Sequence, residues 1–150
     1  SVNFVQDNES KSSKGVLRGL HFQLAPHAQS KLVRVIEGSV LDVAVDIRQG
    51  SPTFGQCVAV ELSGDNKKQL FVPRGFAHGF VVLSDTATFA YKVDNYYSPE
   101  CDRGLAFYDK QLNIDWQLPK EQLLLSDKDI KQPTLAELTD CFDYSQNYYA

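Results

Sequence analysis

The stretch Lys31-Leu32-Val33-Arg34-Val35-Ile36-Glu37-Gly38-Ser39-Val40-Leu41-Asp42-Val43-Ala44-Val45-Asp46-Ile47 decides the fold class. Two short Val/Ile/Leu-rich runs, 31–36 and 39–47, are separated by Glu37-Gly38, a hairpin-like signal. Downstream, Gly50-Ser51-Pro52 and Ser63-Gly64-Asp65-Asn66 bound a run at 56–62 that alternates Val58, Val60 and Leu62. Further runs at 70–72, 77–83 and 86–93 follow, each divided from the next by turn residues. Short strands at this regular interval predict an all-β domain, closed or sandwiched. Upstream, the first fourteen residues, SVNFVQDNESKSSK, are polar and read as an extended or loop lead-in. Near the C-terminus, 118–125 and 134–139 read as helices of one or two turns, the second preceded by Pro133. The tail DYSQNYYA (143–150) reads as a strand or ordered segment packed on the barrel. No repeat or low-complexity tract is visible, so residues 1–150 are expected to form one domain.

Composition narrows the function classes. The 150 residues are 43% hydrophobic and 23% charged, with a net charge of −4, a globular composition. The 15 Lys and Arg residues are scattered, so nucleic acid is not expected as a partner. Apolar runs are strand-sized and no secretory-signal pattern opens the chain, so no membrane role is expected. Cys57, Cys101 and Cys141 are odd in number and far apart, which fits a reducing cytoplasm better than a disulfide framework or a zinc site. No Walker loop, GxGxxG, GxSxG or HExxH occurs.

Few residues remain to carry chemistry. His27, beside Pro26, reads as a solvated surface imidazole. On a strand, His21 and Gln23 share one face while Leu20 and Phe22 share the other; His21 is either a structural histidine inside a barrel or a catalytic base. Asp42 and Asp46 share a face with Val40 and Ala44. An inward carboxylate there needs a partner, and orienting a histidine is one way to supply it; an exposed polar face is the alternative. Asp127 and Asp129 fit the capping of a following turn. Tyr91, Tyr96 and Tyr97 fit cross-strand packing, or a proton donor facing a cleft. Pro73-Arg74-Gly75-Phe76-Ala77-His78 has a PxGxxH spacing that resembles the second motif of the cupin superfamily, small jelly-roll barrels. The earlier strand offers only His21 where metal-binding cupins have an HxH pair and a glutamate, so no metal site is expected.

Taken together, Gly15-Val16-Leu17-Arg18-Gly19-Leu20-His21-Phe22-Gln23, Lys31-Leu32-Val33-Arg34-Val35, Asp42-Val43-Ala44-Val45-Asp46-Ile47-Arg48 with Gly50-Ser51-Pro52-Thr53-Phe54-Gly55, Gly75-Phe76-Ala77-His78-Gly79-Phe80 and Leu125-Ser126-Asp127-Lys128-Asp129 resemble one family. It is dTDP-4-dehydrorhamnose 3,5-epimerase, and the resemblance runs from about Phe4 to Leu138 in order. It implies a cupin jelly-roll β-barrel with short C-terminal helices, working in the cytoplasm as a homodimer without metal or redox cofactor. The implied substrate is a dTDP-4-keto-6-deoxy-hexose, inverted at C3 and C5. The same resemblance implies His21 as the base, Asp129 as its paired carboxylate, Tyr91 as the donor to the opposite face and Lys31 beside the enolate oxygen. It places Gln6, Asn8, Arg18, His78, Tyr97 and Lys128 at substrate-contacting positions. Asp102, in Pro99-Glu100-Cys101-Asp102, stands where the family has the last glutamate of PExE. The family also has a preceding segment that reaches a neighbouring subunit's pocket, which this chain is expected to lack. The alternatives are an epimerase acting at one carbon or a ketoisomerase, a non-catalytic sugar-nucleotide-binding cupin and, more remotely, a metal-dependent cupin.

Overall fold

The apolar run at 39–47 becomes strand β4 (Ser39–Asp46), buried along nearly its whole length on both faces. A strand buried on both faces must lie at the centre of a layered structure, and the computed structural model, which describes residues 1–150, shows why. One face of β4 meets a second sheet, and the other is covered by the C-terminal segment. The remaining strands are β1 (Gln6–Ser13), β2 (Leu17–Gln23), β3 (Lys31–Glu37), β5 (Arg48–Gln49), β6 (Cys57–Ser63), β7 (Gln69–Val72), β8 (Phe76–Val82), β9 (Thr86–Val93), β10 (Asp102–Gly104) and β11 (Phe142–Asp143). They form a four-stranded sheet, β1-β9-β3-β7, a five-stranded sheet, β10-β2-β8-β4-β6, and a parallel β5–β11 pair. The two large sheets are antiparallel throughout and face one another as a cupin-type jelly roll.

Between the sheets lies an apolar cluster that includes Val33 and Val35 of β3, Val40 of β4, Phe80 of β8 and Phe89 of β9. It plugs one part of the barrel and leaves the rest for polar residues. A larger cluster covers the outer face of the five-stranded sheet, where Leu41, Val43 and Val45 pack beneath Leu105, Trp116 and Leu135. Alternation along β4 therefore sorts its side chains into two cores, with Asp42 on the inward face.

One expectation needs correction, and two are made specific. Glu37-Gly38 does not close a hairpin: β3 pairs with β9 and β7, whereas β4 pairs with β8 and β6, so the turn carries the chain from one sheet to the other. Gly38 takes φ +82°, and a Cβ there would lie 2.2 Å from the Thr86 carbonyl oxygen. The polar lead-in contains a full strand, β1, in register with β9 from Gln6↔Val93 to Ser13↔Thr86. As an edge strand it needs main-chain pairing and little apolar content. The helices of one or two turns expected at 118–125 and 134–139 are single 3-10 turns, at Lys120–Gln122 and Leu135–Glu137. Leu124 instead exchanges backbone hydrogen bonds with Gly15 and Leu17, which ends the first turn. The one α-helical turn is α1 (Asp127–Ile130), and its N-cap is Ser126, whose hydroxyl accepts from the Asp129 N–H at 3.2 Å. Asp129 is not a cap, and no helix is long and apolar enough to cross a membrane.

Candidate active site

Strand β2 is irregular just before His21. Leu17 and Arg18 pair with Val81 and Phe80, but His21 then pairs with His78, so β2 holds one more residue than β8 across this interval. Such a bulge re-aims the side chains that follow it. The strands approach closely here because both lack side chains: a Cβ on Gly19 would sit 2.7 Å from the Gly79 Cα. Leu20 and Phe22 enter the outer cluster, and His21 is left on the inward face.

His21 Nε2 lies 2.5 Å from Asp129 Oδ1, and the Gly19 N–H donates to Asp129 Oδ2 at 3.1 Å. Burial of Asp129 would raise its pKa, but the bonds from His21 and Gly19 and the nearby Lys128 charge hold the carboxyl below its usual range. The carboxylate is enclosed while the His21 side chain keeps 34% exposure, so the imidazole is fixed at one nitrogen and accessible from the barrel. A second pair sits deeper. His78 Nε2 lies 2.7 Å from Asp42 Oδ1, with side-chain exposures of 6% and 0%. Asp42 thus has the histidine partner that an inward carboxylate needs. Asp46, also buried, binds Arg48, Ser51 and Thr53 instead.

The facing wall is the four-stranded sheet. Tyr91 of β9 and Lys31 of β3 project from it, with the Lys31 ammonium 5.9 Å from the Tyr91 ring centroid. Burial raises the Tyr91 pKa, against the pull of Arg18, so the phenol stays protonated at neutral pH. Burial lowers Lys31 to about 8, with Asp42 and Asp102 opposing. Two adjoining cavities of about 300 and 380 Å³ share Asn8, His21, Lys31 and Tyr91. The first also takes in Gln6, Tyr97, Asp102 and Lys128; the second takes in Arg18 and His78. Asp102 pairs with Lys128, which raises the Lys128 pKa. Every residue expected at the site therefore lines one hollow or, for Asp129, backs a residue that does. His27 is exposed and outside it.

Gln23, Gln29 and Glu9 also line the hollow; the strand alternation puts Gln23 on the face of His21, and nothing in the local sequence marks the other two. The role of Gln23 is structural. Its amide donates to the His27 and Tyr96 carbonyls and accepts from the Ser98 N–H, tying down two loops at the rim.

A histidine–aspartate pair facing a tyrosine and a lysine inside a jelly roll offers the groups that proton transfer requires, and the chain can be compared with known proteins. A family model described as dTDP-4-dehydrorhamnose 3,5-epimerase matches residues 1–137. The chain belongs to that family. Two curated relatives of that name are similar to it. The one from Shigella flexneri is 63% identical over 129 residues, 86% of this chain and 70% of that protein. The one from Escherichia coli K12 is 58% identical over 137 residues, 91% of this chain and 74% of that protein. Among solved structures, a dTDP-6-deoxy-D-glucose-3,5-epimerase from Legionella pneumophila, in complex with dTDP-4-keto-L-rhamnose, superposes with a TM-score of 0.92 at 54% identity, covering 97% of this chain and 78% of its own. A 3′-monoepimerase from Streptomyces bikiniensis in complex with dTDP-quinovose is more distant, with a TM-score of 0.82 at 35% identity, covering 89% and 67%. Members of the dTDP-4-dehydrorhamnose 3,5-epimerase family are isomerases, and this chain shares their fold across nearly its whole length.

Proposed function

We propose that this epimerase-family chain inverts C3 and C5 of dTDP-4-dehydro-6-deoxy-D-glucose, giving dTDP-4-dehydro-L-rhamnose. The observation that carries the reading is the placement of His21 and Tyr91 on opposite walls of one hollow that Lys31 also lines. A 4-ketone acidifies the C–H bonds at C3 and C5. His21 Nε2 is committed to Asp129, so Nδ1 carries the lone pair that takes each proton, and Asp129 steadies the imidazolium. The Lys31 ammonium stabilises the enolate oxygen. Tyr91 then delivers a proton to the opposite face, which completes inversion at that carbon; His21 returns its proton to water and Tyr91 is reprotonated from water before the other carbon reacts. Arg18 and Lys128 suit the diphosphate, while Gln6, Asn8, His78, Tyr97 and Asp102 hold the sugar and base.

The proposed step needs no metal, because Lys31 supplies the positive charge; each cavity histidine has its own aspartate partner, which supports proton transfer over metal ligation. Activity abolished by a chelator and restored by a divalent ion would overturn this. We place the enzyme in the cytoplasm, which suits its three free thiols. We also propose that one jelly-roll domain carries the site and pairs as a homodimer. The outer face of the four-stranded sheet supports pairing: it bears Ile36 and Phe71 at 38% and 43% exposure beside Leu32 and Arg34. Sedimentation should give twice the monomer mass, and a monomer at working concentration would contradict it.

Incubation with dTDP-4-keto-6-deoxyglucose in deuterated water tests the reaction. Deuterium at both C3 and C5 is expected. The similarity to a 3′-monoepimerase favours, as a second reading, action at one carbon, which would label that carbon only. Binding of dTDP without any exchange would identify a non-catalytic sugar-nucleotide-binding cupin.

A further inference from the structure

Lys31 is the first residue of β3. It stands opposite Val93 and Val72, the last residues of β9 and β7, so the ladder ends on the rung that carries it. Strand ends fray, because no further rung holds them. The Lys31 ammonium forms no ion pair, and a lysine stem is long and flexible. Its place in the hollow therefore depends on how firmly its backbone is held.

Beyond that rung, side chains take over from the sheet. Ser30 is wholly buried; it donates its N–H to Asp94 Oδ1 at 2.6 Å, and its carbonyl accepts from the Asp94 N–H at 3.3 Å. Asp94 Oδ2 lies 3.1 Å from Arg74 Nη2, with side-chain exposures of 1% for Asp94 and 18% for Arg74. That oxygen has no aligned hydrogen bond, so the guanidinium holds it by charge. The Tyr149 hydroxyl lies 2.6 Å from Ser30 Oγ and accepts from the Arg74 N–H at 2.9 Å. The Arg74 guanidinium also lies 4.9 Å from the Tyr149 ring. Ser30, Asp94, Arg74 and Tyr149 thus close a ring. The first three lie next to the ends of β3, β9 and β7, and the tail supplies the fourth.

We propose that Tyr149 is a positioning residue: its hydroxyl joins Ser30 to Arg74 and so fixes the first rung of β3, from which the Lys31 ammonium enters the hollow. The tail is then part of the working site and not only a cover of the barrel. The effect on catalysis rests on the reading of Lys31 as the stabiliser of the enolate; the positioning itself does not.

Tyr149→Phe tests this, because it keeps the ring beside Arg74 and removes only the hydroxyl. The control is Tyr148→Phe, which removes a tail hydroxyl that accepts from the Asp143 N–H and does not reach β3. Each variant is compared with the native protein in kcat and KM, and in the NMR shifts of the two Lys31 Hε protons, assigned with Lys31→Arg. In a held side chain those protons differ in shift; in a freely rotating one they coincide. Tyr149→Phe should bring them together and lower kcat about tenfold or more, with KM little changed, since a stabilising charge acts only where it is held in place. Tyr148→Phe should do neither. Lys31 shifts unmoved in Tyr149→Phe would overturn the proposal whatever the rate does. Equal effects from Tyr148→Phe would also overturn it, because they would mark a general loosening of the tail. If the Lys31 protons merge and kcat does not follow, the positioning stands and the enolate role of Lys31 falls.

Discussion

Two histidines of one barrel each bind an aspartate and both line the hollow, but they differ in exposure. His21 keeps a third of its side chain exposed, whereas His78 keeps 6%. Accessibility, more than pairing, makes His21 the better candidate for exchanging protons with a substrate. Lys31 belongs to the same site. With its pKa lowered to about 8 by burial, it is charged below that value and loses its proton above it. The rate at saturating substrate should therefore fall as pH rises through about 8, and a kcat flat to about pH 10, where an ordinary lysine titrates, would show that the Lys31 charge is not used. The candidacy of His21 was legible from the Leu20/His21/Phe22/Gln23 alternation. Its partner was not legible from the residues alone, because Asp129 lies 108 positions away and its local sequence fits a helix cap equally well. Only resemblance to the family joined the two.

At the scale of elements, the bulge between β2 and β8 aims His21, and it depends on two glycines. A Cβ on Gly79 would lie 2.6 Å from the Arg18 carbonyl oxygen and 3.2 Å from the Gly19 Cα. Gly79→Ala should force β2 away from β8 at a cost of about 1–3 kcal/mol, read from the denaturation midpoint. Activity should be lost because Gly19 and His21 no longer meet Asp129 together. A folded Gly79→Ala protein with full activity would show that this close approach does not position the site. The strands β3, β4, β6 and β8 were readable because β-branched and aromatic residues recur between turn signals. β1 was not, since an edge strand can be polar and its partner β9 comes some eighty residues later. The Glu37-Gly38 turn looks local but joins two sheets, because the pairing of β3 with β9 and β7 is decided by non-local packing.

The whole molecule is clasped at the end of β4. Asp46 is buried, and its carboxylate accepts from Arg48 Nε and Nη2 at 2.9 Å and from the Ser51 and Thr53 hydroxyls at 2.6 Å. The Arg48 guanidinium in turn lies 4.9 Å from the Phe76 ring and 5.0 Å from that of Tyr144 in the tail. Burial would raise the Asp46 pKa, but these bonds override it and hold the carboxyl far below the usual range. A depressed carboxylate adds stability that is present above the unfolded value, about 4, and is lost as pH falls toward the folded one. Asp46→Asn should therefore cost about 2–3 kcal/mol at neutral pH, and the deficit should shrink as the pH falls below about 4. An equal deficit at pH 7 and at about pH 3 would show that the charge of Asp46 is not what binds the clasp. The tail is held further along, where the Tyr149 hydroxyl lies 2.6 Å from Ser30 Oγ and accepts from the Arg74 N–H at 2.9 Å, next to the residue that begins β3. Turn residues marked the motif in the sequence, but nothing local signalled that Arg48 would bridge it to the tail.

Proton removal by His21 is the centre of the account, and solvent exchange in a His21→Asn variant tests it most directly. Substrate is incubated in deuterated water and label at C3 and C5 is followed by NMR, with dTDP affinity measured alongside. Exchange at both carbons should fall by about 100-fold or more while dTDP binds as it does to the native protein. Exchange retained at either carbon, with binding intact, would contradict the assignment of His21 as the base.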